Sequence, residues 1–92
     1  MAQMIARLRP HVNAGLRRER MPDITIQTRA SRFCFASLRG VDEFGVTIHT
    51  LAQNEFFPWT EVEMVDVCGT EFRPQEMVRG SYPLECAMME AG

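Results

Sequence analysis

The sequence predicts a mostly β domain in which one N-terminal α-helix precedes five short strands that form a small, strongly bent barrel. Pro10 can occupy the first position of a helix, and Val12 and Leu16 follow at the i, i+4 spacing of a helical face. After Pro22 the apolar spacing changes to alternation, which is typical of strands. Short links then separate the apolar runs, as they do in small barrels.

The helix is predicted from Pro10 to about Arg18. Gly15 lies inside it and costs roughly 1 kcal/mol relative to alanine, so packing must hold this helix in place. Residues 1–9 are predicted to form an N-terminal lead, either a separate turn or a frayed end, because Pro10 prevents a straight continuation upstream.

The first strand is predicted around Ile24 and Ile26, which alternate with polar neighbours. Four further runs, rich in β-branched and aromatic residues, lie between turn residues: Phe33–Arg39, Gly45–Leu51, Glu55–Trp59 and Val62–Val67. The predicted domain therefore covers residues 10–67. The segment 68–92, interrupted by glycine and proline, is predicted to be an irregular C-terminal tail.

Charge is divided unevenly along the chain. Residues 1–32 hold seven arginines against two acidic residues, a net +5, whereas residues 33–92 hold three arginines against ten acidic residues, a net -7. All ten basic residues are arginine, whose guanidinium pairs with phosphate in a bidentate manner and also stacks on bases. An anionic partner for the N-terminal third is therefore expected.

Several function classes find no support in the sequence. No apolar run approaches the ~20 residues that span a bilayer, so no membrane partner is expected. No acidic or hydroxyl residue lies at a sequence separation from His11 or His49 that is typical of a catalytic motif, so we expect no catalytic residue. No metal-ligand spacing and no phosphate loop occurs, so we expect no metal or cofactor. Three cysteines make no even disulfide set, and the N-terminus has no secretory pattern, which together predict a cytoplasmic protein.

Two motifs carry a family resemblance. LRRERMP, residues 16–22, precedes the first predicted strand, and VDEFGVTI, residues 41–48, lies at the bend before the third. With the order of helix, arginine cluster, proline and five strands, they resemble Hfq, the bacterial branch of the Sm-like RNA-binding family, over residues 10–66. The resemblance implies a homo-oligomeric ring, usually a hexamer, closed by pairing the fourth strand of one subunit with the fifth of the next.

The resemblance also implies RNA contacts at an outer rim. Asn13, Arg17, Arg18 and Arg20 match the rim positions that contact RNA phosphates and promote pairing of two RNAs. The residues alone also allow a solvated helix end whose cations complement the helix dipole.

A second implied surface is a purine-preferring distal face. The positions that match it are Gln27, Arg29, Arg32, Phe33 and Phe35. This register turns Phe33 and Phe35 outward and leaves Cys34, Ala36 and Leu38 inside. The residues themselves leave open whether the two phenylalanines are core, a base-stacking platform or a protein-binding patch.

A third implied surface surrounds the pore and comprises Glu43, Phe44, Phe57 and Trp59. Where the family has a Tyr-Lys-His run, this chain has Phe57, Pro58 and Trp59, and Glu43 stands where the family has glutamine. We therefore expect weak binding of U-tract RNA. Trp59 can equally be a core residue. Pro58 has no N–H to donate to a strand ladder, and this weakens ring closure if Pro58 lacks its N–H on the strand edge that pairs with the next subunit.

Two functions follow from these observations. The first is an RNA-binding ring and RNA chaperone in post-transcriptional regulation, which binds single-stranded, purine-rich RNA through the rim and the distal face. The alternative is a protein-interaction ring or small barrel that has kept the fold and lost the RNA role.

Overall fold

A computed structural model describes residues 1–51 and 53–81 of the chain. The helices of this part are α1 (Ala2–Leu8) and α2 (Pro74–Ser81), with 3₁₀ turns at Arg9–His11 and Trp59–Glu61. Its strands are β1 (Ile24–Thr28), β2 (Arg32–Phe33), β3 (Leu38–Val41), β4 (Gly45–His49), β5 (Asn54–Pro58), β6 (Val62–Val67) and β7 (Thr70–Phe72). The mostly β composition with an N-terminal helix is therefore confirmed.

The described strands form two antiparallel sheets. One has the order β2-β1-β6-β7 and the other the order β3-β4-β5. Strand β1 is paired on both sides. Its Ile26 lies opposite Phe33 of β2, and its pairing with β6 begins where Ile24 lies opposite Val67. No closed barrel is formed by these strands, which differs from the predicted five-stranded barrel.

A single apolar core lies between the sheets and α1. The alternation of β1 places Ile24, Ile26 and Thr28 on one buried face, as expected from the period of two, whereas β6 interrupts the alternation because Met64 and Val65 are both buried. The buried cluster comprises Met4, Ile5, Leu8, Ile24, Ile26, Ala36, Leu38, Val46, Ile48, Trp59, Val62, Val65 and Val67.

The helix lies upstream of its predicted position. Residues 1–9, predicted as a lead, contain α1, whereas residues 12–18 form turns in which Asn13 and Arg18 have left-handed φ angles of 64° and 60°. The reason is burial, because α1 buries three apolar side chains in the core: Met4, Ile5 and Leu8. Leu16 of the downstream segment is 66% exposed, so that segment gains less from packing as a helix.

The predicted strand Phe33–Arg39 is broken into β2 and β3. Phe35 has a left-handed φ of 52°, a conformation that ends the regular alternation of a strand. The chain then returns to the sheet, where the Ala36 N–H donates to the Ile24 carbonyl at 2.8 Å.

The segment after Cys68 is more regular than predicted. Strand β7 pairs with β6 from Val65 opposite Phe72 to Val67 opposite Thr70, and α2 follows it. Of the predicted tail, residues 82–92 lie outside the described part of the chain.

Gly45 is a position where any side chain should destabilise the fold. It lies opposite Pro58, and a Cβ added there would contact the Phe57 carbonyl and come within 2.6 Å of the Phe56 ring. We expect Gly45→Ala to lower the free energy of unfolding by about 1 to 3 kcal/mol through overpacking, measured by urea denaturation.

Gly40→Ala is the matched control for that substitution. Its Cβ would meet only Thr47, at an ordinary contact distance of 3.8 Å, so we expect a change below about 1 kcal/mol. Equal effects of the two substitutions would show that β4 and β5 do not approach as closely as described.

Candidate nucleic-acid interface

The arginine-rich segment is held against the three-stranded sheet by its backbone. The Asn13 N–H donates to the Leu38 carbonyl at 2.9 Å, and the Asn13 carbonyl accepts from the N–H groups of Leu16 and Arg17. Asn13 itself is half-buried in this turn. Its described contacts are therefore those of a turn residue, which differs from the RNA-contacting role that the resemblance implies.

Arg17 is occupied by contacts within its own turn. Its Nε and Nη2 donate to the Glu19 carboxylate at 2.8 and 3.0 Å, and its guanidinium also donates to the Val12 and Pro10 carbonyls. The hydrogen bond to Glu19 raises the pKa of Arg17 above its ordinary value and lowers the pKa of the Glu19 carboxyl. Arg17 therefore closes the turn, in contrast to the freely exposed rim arginine expected from the sequence.

Arg18 and Arg20 differ from Arg17 in having free guanidinium groups. Both side chains are exposed, and within residues 1–51 and 53–81 neither forms an ion pair or a hydrogen bond. Arg18 itself has a left-handed φ of 60° in this turn. Arg18 and Arg20 are the arginines of the cluster that can contact an anion without breaking an existing bond.

An open cavity of about 710 Å³ adjoins Arg20, and we call it the arginine cleft. It is lined by residues 19–23 together with His11, Phe35 and Cys68. The Phe35 ring is 58% exposed, so the cleft presents an aromatic surface next to a guanidinium. Its two acidic residues are unequal, because Glu19 is neutralised by Arg17 while Asp23 is exposed.

The two phenylalanines of the predicted distal face are separated in the structure. Phe33 is half-buried and its ring centroid lies 5.4 Å from that of Phe57, whereas Phe35 opens into the arginine cleft. Cys34 is exposed, which differs from the register that the resemblance implies, whereas Ala36 and Leu38 are buried as in that register. A continuous platform of both phenylalanines is therefore not formed.

The polar residues of the predicted distal face form a surface network. Arg32 donates to the Gln27 side-chain oxygen at 2.8 Å, and the Gln27 amide donates to Glu63 at 3.4 Å. Arg29 is exposed and borders a separate cavity of about 310 Å³, whose floor is the Phe33 and Phe57 pair. Arg32 and Gln27 are thus already paired, and Arg29 lies at a different cavity from the arginine cleft.

The residues of the predicted pore face divide into exposed and buried groups. Glu43 is exposed and Phe44 is 69% exposed at the bend between β3 and β4, where the Asp42 carboxylate accepts from the Phe44 N–H. Trp59 is only 5% exposed, and its indole Nε1 donates to the Asp42 carbonyl at 2.9 Å. Trp59 is therefore a core residue that holds the bend by a hydrogen bond, which agrees with the core alternative and differs from the RNA contact that the resemblance implies.

Six residues that line the cleft were not predicted as site residues: His11, Glu19, Met21, Pro22, Asp23 and Cys68. Of the lining residues, Asp23, Cys68 and Phe35 come together because β1 is paired on both sides at its first residues. The Cys68 N–H donates to the Asp23 carbonyl, while the Ala36 N–H on the other side donates to Ile24 and brings Phe35 close. Their sequence separations carry no period, so only the pairing of β1 places them at one cavity.

Residues 1–51 and 53–81 lack two features of other protein classes. No group of three His, Cys, Asp or Glu side chains gathers there in a way that suits a metal ion. Neither helix has the length and apolar character needed to cross a membrane.

Comparison with known proteins gives no relative. No protein-family model, no curated protein and no solved structure matches this chain.

Proposed function

We propose that this protein binds single-stranded RNA through the arginine cleft and acts as an Hfq-like, ring-forming RNA chaperone in post-transcriptional regulation. The observation that carries the proposal is the position of the exposed Phe35 ring beside Arg20 in one cavity. A cytoplasmic location, expected from the cysteines and the N-terminus, is part of the same proposal.

The chemistry of the cleft suits a nucleotide strand. Exposed aromatic rings stack bases with about 1 to 3 kcal/mol per base, and guanidinium groups contact the phosphates that join them. Arg18 and Arg20 are free to make such contacts, while Arg17 is not. Asp23 offers an acceptor for the exocyclic amino group of a base, which supports the expected preference for purine-rich over U-tract RNA.

The altered pore face supports the same preference. With Trp59 buried, Phe44 is the exposed aromatic side chain at the bend, and its neighbour Glu43 repels phosphate. A U-tract bound there would therefore have one stacking ring and an adjacent negative charge.

A second candidate function, a protein-interaction module, is favoured by the exposed apolar side chains. Phe56 of β5 and Phe44 at the bend between β3 and β4 are both more than half exposed, and Leu16 and Leu51 are also exposed. Exposed aromatic residues of this kind are frequent at protein interfaces.

Alanine substitution of Phe35 tests the proposed function. We expect Phe35→Ala to weaken the binding of short A-rich RNA by about 5- to 150-fold, because one stacking contact is lost. The measurement is fluorescence anisotropy, with native mass spectrometry of the parent in A-rich, U-rich and mixed RNA to count subunits and bound strands.

Phe44→Ala is the matched control, since Phe44 is similarly exposed but lies outside the cleft. We expect it to change the affinity for A-rich RNA by less than about twofold. Loss of U-rich binding in Phe44→Ala with full binding in Phe35→Ala would move the site to the pore face. Absence of RNA binding by the parent would leave the protein-interaction function.

A further inference from the structure

The outer edge of β6 is covered by the segment that follows it, residues 70–81, which we call the strap. Strand β6 pairs along its whole length with β1 on one side. On the other side β7 pairs with its second half, from Val65 to Val67. The sheet edge that β6 would otherwise present is therefore occupied by the same chain.

The strap is attached at several points beyond this short ladder. The Gln75 amide donates to the Trp59 carbonyl at 2.8 Å and to the Val62 carbonyl at 3.5 Å, so it covers acceptors next to the first half of β6. Arg7 of α1 donates to the Thr70 hydroxyl at 3.1 Å. Pro74 is buried, and Phe72 packs against the core while partly exposed.

The other sheet ends at β5, whose outer edge pairs with no strand in the described part of the chain. The other side of β5 pairs with β4. Strand β5 has five residues and β6 has six, so the two edges are of similar length. The Phe56 side chain of β5 is exposed to water, and a strand added beside β5 would bury part of this apolar surface, which is favourable. An open edge with an exposed aromatic residue is a site for strand addition.

We propose that the strap closes the outer edge of β6, and that its release allows this edge to pair with β5 of a second copy of this chain. The inference rests on the strand-paired ring included in the proposed function and is independent of RNA binding. Because the pairing joins two different edges, it is head-to-tail and extends from copy to copy until a ring closes. Strap release is then the step that controls assembly.

The turn that begins the strap provides a means to change its stability. Cys68 and Gly69 have φ angles of 50° and 98°, and positive φ at both central residues is the requirement of a type I′ hairpin turn. Asparagine followed by glycine is the most favourable pair for that turn, so Cys68→Asn should tighten the strap. Gly69→Ala should loosen it, because alanine is strained at this φ although nothing lies within 4 Å of its Cβ.

The experiment compares full-length parent, Gly69→Ala and Cys68→Asn in reducing buffer. Hydrogen exchange of the β7 amides reports strap opening, and sedimentation velocity over a concentration series reports assembly. The strain of one residue in the left-handed region corresponds to about a 5- to 30-fold change in the opening equilibrium. We expect Gly69→Ala to increase amide exchange and the apparent association constant by about this factor, and Cys68→Asn to decrease both.

Two further variants complete the test. Gly15→Ala is the matched glycine control, since its Cβ would meet only Met21 and Ser37 at ordinary distances of 3.6 and 3.8 Å. We expect it to assemble like the parent. Phe56→Lys places a charge on β5 and should reverse the increased assembly of Gly69→Ala if β5 is the partner strand.

The proposal is overturned if assembly is the same in all variants or if every variant is monomeric. It is also overturned if Cys68→Asn assembles more strongly than Gly69→Ala, because the strap would then be part of the interface. Assembly of Gly69→Ala that persists with Phe56→Lys would overturn β5 as the partner. RNA binding is measured separately on parent and Gly69→Ala, because Cys68 also lines the arginine cleft. Failure of the strap proposal therefore leaves the RNA-binding part of the proposed function intact, and loss of RNA binding leaves the strap proposal intact.

Discussion

Replacing Arg18 and Arg20 together with alanine should weaken RNA binding by up to about 100-fold. Each charge-assisted phosphate contact contributes roughly 1.5 kcal/mol, which is about a factor of ten in affinity. The slope of log affinity against log salt should also fall by about 1.4, or 0.7 for each lost contact with a single strand. The measurement is a binding titration at several salt concentrations.

Arg17 is left in place in this variant for a structural reason. Its guanidinium holds Glu19 and two backbone carbonyls, so its removal would disturb the turn as well as the charge. Arg18 and Arg20 make no such contacts, and their replacement should change the free energy of unfolding by about 0.5 kcal/mol or less per site. A loss of RNA binding with unchanged stability would thus report on phosphate contact alone.

Arg73→Ala is a control that removes one positive charge elsewhere on the surface. Arg73 is exposed, pairs with Glu71 and lies just after β7, outside the residues of the arginine cleft. We expect it to leave the salt slope unchanged. If the double variant binds different RNA sequences as tightly as the parent and with the same salt slope, Arg18 and Arg20 do not contact phosphate. Equal losses in Arg73→Ala would indicate a general charge effect.

Truncation of Leu8 should cause the largest loss of stability in the chain's N-terminal segment. The Leu8 side chain is fully buried in the core together with Met4, and its removal leaves a cavity between α1 and the sheets. We expect Leu8→Ala to lower the free energy of unfolding by about 2 to 5 kcal/mol. For a domain of this size that is a large share of the ~5 to 15 kcal/mol by which proteins are stable. Urea denaturation with a constant m value measures it.

Leu16→Ala is the control with the same change of side chain in the opposite environment. Leu16 is 66% exposed in the arginine-rich turn, so its truncation should change the free energy of unfolding by about 0.5 kcal/mol or less. Equal effects at the two leucines would mean that α1 does not pack in the core. Residues 1–9 would then be the detached lead that the sequence predicts.

The sequence by itself determined the strands whose signal is local. Alternation placed β1 within a few residues of where it lies, because a strand with one buried face needs an apolar residue at every second position. Runs of β-branched and aromatic residues between turn residues did the same for β4, β5 and β6. The segregation of arginine in the N-terminal third, from which an anionic partner was expected, is likewise a property of the sequence alone.

Only the tertiary structure decided which segments are helical and which side chains are free. Residues 2–8 and 10–18 both offer apolar residues at helical spacing, and the choice between them depends on which set can reach the core. Arg17 and Arg20 are alike in sequence, yet one is held by Glu19 and the other lines a cavity with Phe35.

The position of Trp59 and the strap depend on the same physics. The sequence left open whether Trp59 is a core residue or an RNA contact. In the structure its indole N–H donates to the Asp42 carbonyl, 17 residues away, which places Trp59 in the core. Strand β7 is three residues long and has no strong pattern, so its pairing with β6 is set by the turn at Cys68 and Gly69 and by the edge that β6 leaves open. Local periodicity specifies which face of a segment is apolar, but burial and strand pairing join residues far apart in the chain, and those contacts are formed only when the whole fold is present.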